Sequence, residues 1–285
     1  MNLENWLTNC TWIILIFMAV SQVIGLISGN LIRGYGSDYA SAGLIDQPSV
    51  TATLIVSTLP VFLQSFPYKR MSLAGIIICL VSLFFTMRRT VLIAAIAAIF
   101  LVLMYDFFPF RRRIRKSTVI IAILTLCALG IISLRTQAGA DLLARMSDLN
   151  PLYGTGSGRY TFWFIALKHI LNRNIISMIM GDGLGRIRDV MYNDFGMYIG
   201  SHNDLLDFTY AFGIFGLFTL IWWYYELIRF TNYLRINKAT AFQGSLSVIT
   251  IFIIISMGQG GESYNPDLAL IFMILGIWAG QKSYV

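Results

Sequence analysis

Ser201-His202-Asn203-Asp204-Leu205-Leu206-Asp207 runs directly into an apolar stretch, Phe208 to Tyr225, that carries Gly213 and Gly216. The apolar stretch is long enough to cross a bilayer, at roughly 20 residues per span. A histidine, an asparagine and two aspartates therefore stand where a helix enters the membrane. Histidine exchanges its proton most readily near neutral pH, and ionisable groups at membrane depth are costly to keep there. Two readings follow. Either the cluster performs chemistry, or Ser201, Asn203 or Asp204 caps the first free N–H groups of the helix.

The rest of the chain fits a membrane protein. Its 285 residues are 57% hydrophobic and 12% charged, with a mean hydropathy of +0.70, whereas soluble domains are about a quarter charged. Eight apolar segments stand out, at about 12–28, 50–66, 71–87, 90–109, 117–134, 204–226, 242–258 and 267–281. The expected fold is an all-α polytopic bundle in three parts. Residues 1–134 are N-terminal spans, 135–203 a long outer loop, and 204–285 C-terminal spans. The first apolar stretch has no basic residue before it and no clear small-residue cleavage site, so it reads as a retained span. Cys10, Cys79 and Cys127 show no CxxC spacing and suggest neither a disulfide framework nor a metal site. The net charge of +7 is gathered between spans and offers no basic face to nucleic acid.

Lysine and arginine in the short loops set the orientation. Arg111, Arg112, Arg113, Arg115 and Lys116 form the densest basic loop and mark the cytoplasmic side. Counting spans puts Lys69, Arg70, Arg229, Arg235, Lys238 and Lys282 on that side too. Arg33, Arg88 and Arg89 then fall outside, against the charge rule. Either they snorkel at span ends, or they bind an anion there, since guanidinium groups match phosphate oxygens bidentately.

The outer loop contains Gly158-Arg159, then Tyr160, Trp163, Phe164, Leu167, Ile170 and Leu171 at helical spacing. This predicts an amphipathic helix of about four turns that either lies on the outer interface or roofs a cavity between spans. Lys168 and Arg173 sit near its end, and His169 is read as solvated or interfacial. Gly181-Asp182-Gly183-Leu184-Gly185 lacks the Lys-Ser/Thr pair of a phosphate loop and reads as a turn. Glu262 lies in a short Gly-rich connection on the His202 side and reads as part of a plain turn, although it could face the same cavity. No Asp-x-Asp, GxSxG, HExxH or Walker motif occurs, and one histidine at the site, with no clustered cysteine or histidine, makes zinc improbable. Outward arginines with one histidine suit group transfer from an anionic lipid carrier. The arginines stabilise a departing diphosphate while a base deprotonates a hydroxyl.

Ser201-His202-Asn203-Asp204 followed by Gly213-Ile214-Phe215-Gly216 resembles the O-antigen ligase/polymerase family of bacterial membrane glycosyltransferases. Gly158-Arg159 with Trp163 and Ala166-Leu167, then Gly181-Asp182-Gly183, is similar to that family's long periplasmic loop. Arg89-Thr90 resembles its Ser-Arg-Thr segment, although Met87-Arg88 replace the usual small residues. Arg33-Gly34, Gln47-Pro48 and Leu59-Pro60 resemble the preceding part. The resemblance implies a lipid-carrier type of α-helical fold in the bacterial inner membrane, with its site facing the periplasm. It implies an undecaprenyl-diphosphate-linked glycan donor, no metal and no other cofactor. His202 would assist acceptor deprotonation, and Arg89 and Arg159 would contact the donor diphosphate, with Arg33 and Arg88 as further candidates. Family members usually have more spans ahead of Arg33, so the expectation is either a compact member or an absent N-terminal part.

Within the family, a polymerase of polysaccharide repeat units is the preferred reading, and a ligase that transfers finished glycan to a lipid A core is the alternative. Both belong to lipopolysaccharide and polysaccharide biosynthesis, with a flippase and a chain-length regulator as possible partners. A lipid-linked oligosaccharide flippase is the non-enzyme alternative. It would need matching polar residues in both halves of the membrane, and the inner halves of these spans have few. A truncated, inactive family member is a third.

Overall fold

The computed structural model describes residues 3–28, 41, 43–45, 47–66, 70–107, 135–148, 150, 158–237, 241–259 and 269–280. Among these it has eleven helices and no strand. They are α1 (Leu3–Ile27), α2 (Pro48–Ser65), α3 (Arg70–Phe85), α4 (Arg89–Phe107), α5 (Gln137–Ser147), α6 (Arg159–Leu171), α7 (Ile175–Met180), α8 (Arg186–Phe195), α9 (Asp204–Asn237), α10 (Phe242–Gly258) and α11 (Ala269–Gly280). α1, α2 and α9 are long and apolar enough to cross a membrane, and Met71–Phe85, Arg89–Tyr105, Phe242–Gly258 and Ala269–Gly280 are shorter apolar helices. The fold is the all-α membrane bundle expected. The segment at 117–134, Cys127, the basic loop 111–116, Arg33, Lys69, Lys238, Glu262 and Lys282 lie outside the described residues.

The described residues form two compact units. One draws on Met1–Arg145, Thr231–Ile251 and Pro266–Val285, the other on Met146–Phe230 and Phe252–Asn265. The first unit is centred on α2, which packs against α1, α3, α4 and α11. α2 begins on Pro48, where proline's fixed φ suits a first helical turn. Its buried hydroxyls bond inside their own helix, with Thr53 Oγ1 donating to the Ser49 carbonyl at 2.9 Å and Ser57 Oγ to the Thr53 carbonyl at 2.7 Å. Such back-bonding satisfies polar groups where no water reaches. α3 meets α2 at Gly75, where a Cβ would lie 2.5 Å from the Phe62 ring. Small residues allow such close approach between membrane helices.

The second unit has a core of Phe162, Ile165, Ala166 and Ile170 from α6, Ile187 and Met191 from α8, and Tyr210 from α9. Here α6 departs from expectation. Trp163 is half-buried and Ile170 buried, but Phe164, Leu167 and Leu171 of the predicted apolar face are exposed. The packed face is the one carrying Phe162, Ile165 and Ala166. α6 is therefore apolar on both faces, and a periodicity count that finds one stripe misses the other.

The larger departure is α9. The sequence reads as one span from 204, but Gly213 takes φ 61° and ψ −148° and breaks the helix. Asp204 Oδ2 accepts a hydrogen bond from Ser256 Oγ at 2.6 Å, and Ser256 Oγ is also hydrogen-bonded to Tyr224 Oη. Asp204 and Tyr224 would be ~30 Å apart on a straight helix, far beyond the reach of two side chains on one serine. A Cβ on Gly216 would lie 2.4 Å from the Phe208 carbonyl, which is likewise impossible on a straight helix. α9 therefore folds back at Gly213 into a short limb, 204–212, and a long one, 214–237.

Candidate active site

Asn203 opens the short limb of α9. Its Oδ1 accepts from the Leu206 amide at 3.3 Å, and its Nδ2 donates to the Met257 carbonyl at 3.1 Å. The capping reading thus holds for Asn203, which also ties the cap to α10. Asp207 Oδ1 accepts from the Ser201 amide at 3.0 Å. Between these two anchors His202 is held at φ 59°. A left-handed backbone costs an L-residue about 1–2 kcal/mol, and such strain gathers at functional sites. Among the described residues the other non-glycine with positive φ is Met87, at 53°. It immediately precedes Arg88 and Arg89.

The strained backbone brings His202 Nδ1 to 2.9 Å from the Gln259 carbonyl oxygen, at the end of α10. A carbonyl only accepts, so Nδ1 carries the proton. In the neutral imidazole this leaves Nε2 with a free lone pair, the form a general base requires. The His202 ring is half-buried, and Phe162 of α6 lies 5.9 Å away between ring centroids. The imidazole is oriented by a main-chain oxygen, while Asp204 and Asp207 hold the surrounding backbone and helices.

Arg159 is the first residue of α6, after Gly158 in the left-handed region at φ 82°. It stands one turn before Phe162, and residues three apart share a helix face. Phe162 is the α6 residue whose ring meets His202. Arg89 is the first residue of α4, in the other unit, and is 7% exposed. Arg88 is half-buried. A cation at a helix N-terminus opposes the helix dipole, and an anion bound there would be favoured by both the guanidinium and the dipole. His169, read as solvated or interfacial, is paired with Asp194 of α8 at 2.9 Å.

Sequence reasoning missed the brace at the helix break. The break frees the carbonyls of Tyr210 and Ala211, whose partners in an unbroken helix would be the amides of residues 214 and 215. The Asp182 amide donates to the Tyr210 carbonyl at 3.1 Å, and the Gly183 amide to the Ala211 carbonyl at 3.0 Å. Arg173 Nη1 also donates to the Tyr210 carbonyl at 3.0 Å, while Nη2 pairs with Asp182 at 2.9 Å and the guanidinium stacks on the Tyr210 ring at 3.4 Å. A cation at this limb's C-terminal end suits the helix dipole. A Cβ on Gly181 would lie 2.2 Å from the Ala211 oxygen, and one on Gly213 2.3 Å from the Ile179 oxygen. Gly181-Asp182-Gly183 is a turn, as read, and it is the turn that seals the folded helix.

This combination of a Gly158-Arg159 helix start, a Gly-Asp-Gly brace and a Ser-His-Asn-Asp cap belongs to one stretch of chain. The sequence model of the O-antigen ligase family matches residues 74–221. The chain belongs to the O-antigen ligase family. The match covers 148 of 285 residues, counting from 74 to 221 inclusive, and includes Arg88, Arg89, Arg159, His202, Gly213 and Gly216. None of the curated proteins matches the chain. As a member of this family of O-antigen ligases and polymerases, the protein is a membrane enzyme of the glycosyltransferase type, with lipid-linked glycans as the substrate class the family suggests.

Proposed function

We propose that the protein is a polysaccharide repeat-unit polymerase of the bacterial inner membrane. It would act on the periplasmic side on glycans carried by undecaprenyl diphosphate, without a metal. The observation that carries this reading is the hydrogen bond from His202 Nδ1 to the Gln259 carbonyl, which leaves Nε2 free to take a proton. In the proposed step His202 Nε2 removes the proton of an acceptor sugar hydroxyl. The oxygen attacks the anomeric carbon of the donor, a new glycosidic bond forms, and the bond from that carbon to the diphosphate oxygen breaks. The carrier diphosphate leaves with the bonding electrons. Arg89, Arg159, Arg33 and Arg88 are assigned to the donor diphosphate, whose charge rises as it departs. A flippase or a chain-length regulator is a partner compatible with this role.

The ligase reading, transfer of finished glycan to a lipid A core, is favoured by the description of the matching family as O-antigen ligase. One assay separates the two. Purified protein in lipid bilayers is given carrier-diphosphate-linked repeat units, with or without lipid A core. A ladder of carrier-linked polymer without lipid A core supports the polymerase. Product only when lipid A core is present supports the ligase. Absence of product with every acceptor sinks both.

A further inference from the structure

α6 buries Phe162, Ile165, Ala166 and Ile170 in the core of its unit and leaves Phe164, Leu167 and Leu171 exposed on its other side. α7 buries nothing. Ile175 and Ile176 are 74% and 75% exposed, and Met180 is 64% exposed. An apolar helix face seeks an apolar medium, and an exposed apolar patch of this kind marks an interaction surface.

The occupant follows from what α7 is fixed to. Its last turn is locked backbone to backbone on the α9 fold-back, since Gly213 abuts the Met178 and Ile179 carbonyls and Gly181 abuts Ala211. The fold-back exposes Phe212 and Phe215. These lead straight into the long limb, 214–237, where Phe218 and Trp222 are 62% and 64% exposed on a helix that at ~1.5 Å per residue is about 36 Å long, enough to match a bilayer core of about 30 Å. The exposed face of α7 is therefore continuous with a surface that faces acyl chains. α8 supplies the contrasting edge, with exposed Arg186, Arg188 and Asn193 and the ion pair from Asp194 to His169.

We propose that α6 and α7 are seated among the acyl chains of the bilayer leaflet on the His202 side, with α8 in the headgroup layer. Of the two readings open for the outer-loop helix, lying on the interface or roofing a cavity, this is the first, extended to α7. Such in-plane helices bury an apolar face about 5–10 Å into the headgroup and acyl boundary.

The test uses the full chain in lipid nanodiscs, with the three native cysteines replaced and one reporter cysteine at Ile176, Leu171 or Asn193 carrying a small fluorophore. Lipids with a nitroxide at the top of the acyl chain report immersion, and aqueous iodide reports exposure to water. The expected result is at least three-fold stronger quenching by nitroxide lipid at Ile176 and Leu171 than at Asn193, with the reverse order for iodide. Iodide quenching at Ile176 equal to that at Asn193 overturns the proposal. So does shielding of Ile176 from both quenchers, which would mean that protein, such as a second copy, covers the face. The two reporters are independent, so failure of one variant to insert leaves the other to decide.

Discussion

At the scale of single residues, the decisive group is one that sequence could only half disclose. His202 was legible because a histidine beside asparagine and aspartate at the head of an apolar stretch is costly to keep. Its orienting partner was not, because a main-chain carbonyl has no sequence signature. Gln259 acts through its backbone oxygen, and any residue at that position offers the same atom. Asp204 and Asp207 stand two and five residues after His202, not the three or four that share a helix face, so spacing alone assigns neither to the imidazole. Their bonds to Ser256 and to the Ser201 amide show them bracing the site, with the Gln259 carbonyl holding the ring. The proposed base role gives a sharp expectation. A positioned base contributes about 10²–10⁴-fold to rate, so His202→Ala should lose transfer by about that factor at unchanged protein level. His202→Gln can still donate to the Gln259 carbonyl but cannot take a proton, so it should fall nearly as far. Transfer from a carrier-linked donor in bilayers is the measurement. A Gln variant within a few-fold of the parent would reduce His202 to a positioning group.

At the scale of elements, periodicity found the helices and failed at their joints. α1 to α4 and α9 to α11 lie close to the apolar runs expected, because burial and lipid both demand continuous apolar sequence. The fold-back within α9 was hidden. Gly213 sits in an apolar run that is ordinary for a span, and glycine is common in membrane helices. What forces the break is tertiary: the Gly181-Asp182-Gly183 turn and Arg173 supply donors for the freed Tyr210 and Ala211 carbonyls. A glycine series tests this. Gly213→Ala must hold φ 61°, ψ −148° and place a Cβ 2.3 Å from the Ile179 oxygen. Backbone strain of about 1–3 kcal/mol and overpacking of about 1–3 kcal/mol then add. Gly183→Ala meets nothing within 4 Å and bears only the cost of φ 99°, about 1–2 kcal/mol. Thermal unfolding in nanodiscs should therefore show a Tm loss for Gly213→Ala at least twice that for Gly183→Ala. Equal losses would show that Gly213 matters only for its torsion, without the close contact to α7.

At the scale of the whole molecule, the all-α membrane fold was legible from composition alone, since 12% charge cannot clothe a soluble chain of 285 residues. How the chain folds into compact units was not legible, because Met146–Phe230 and Phe252–Asn265 come together from separated stretches. Their joining rests on particular contacts, such as Asn203 to Met257 and Asp204 to Ser256, that carry no local pattern. Orientation is where sequence speaks most directly. The basic loop at Arg111–Lys116 holds five of the 21 lysines and arginines, and in short loops such residues are retained in the cytoplasm. If that loop is cytoplasmic, the apolar segment expected to cross at 117–134 would carry the chain to the other side, and α5 to α8 with His202 would belong to the periplasmic face. The expected outcome is that a cysteine introduced at Asp148 reacts with a membrane-impermeant maleimide in intact spheroplasts, whereas one at Lys116 reacts only after the membrane is permeabilised. The opposite pattern would invert the orientation and put His202 on the cytoplasmic side. The Gln259–His202 geometry would be unchanged by that, but an acceptor and donor presented on the periplasmic face could no longer reach it, and the proposed reaction would fall with the topology.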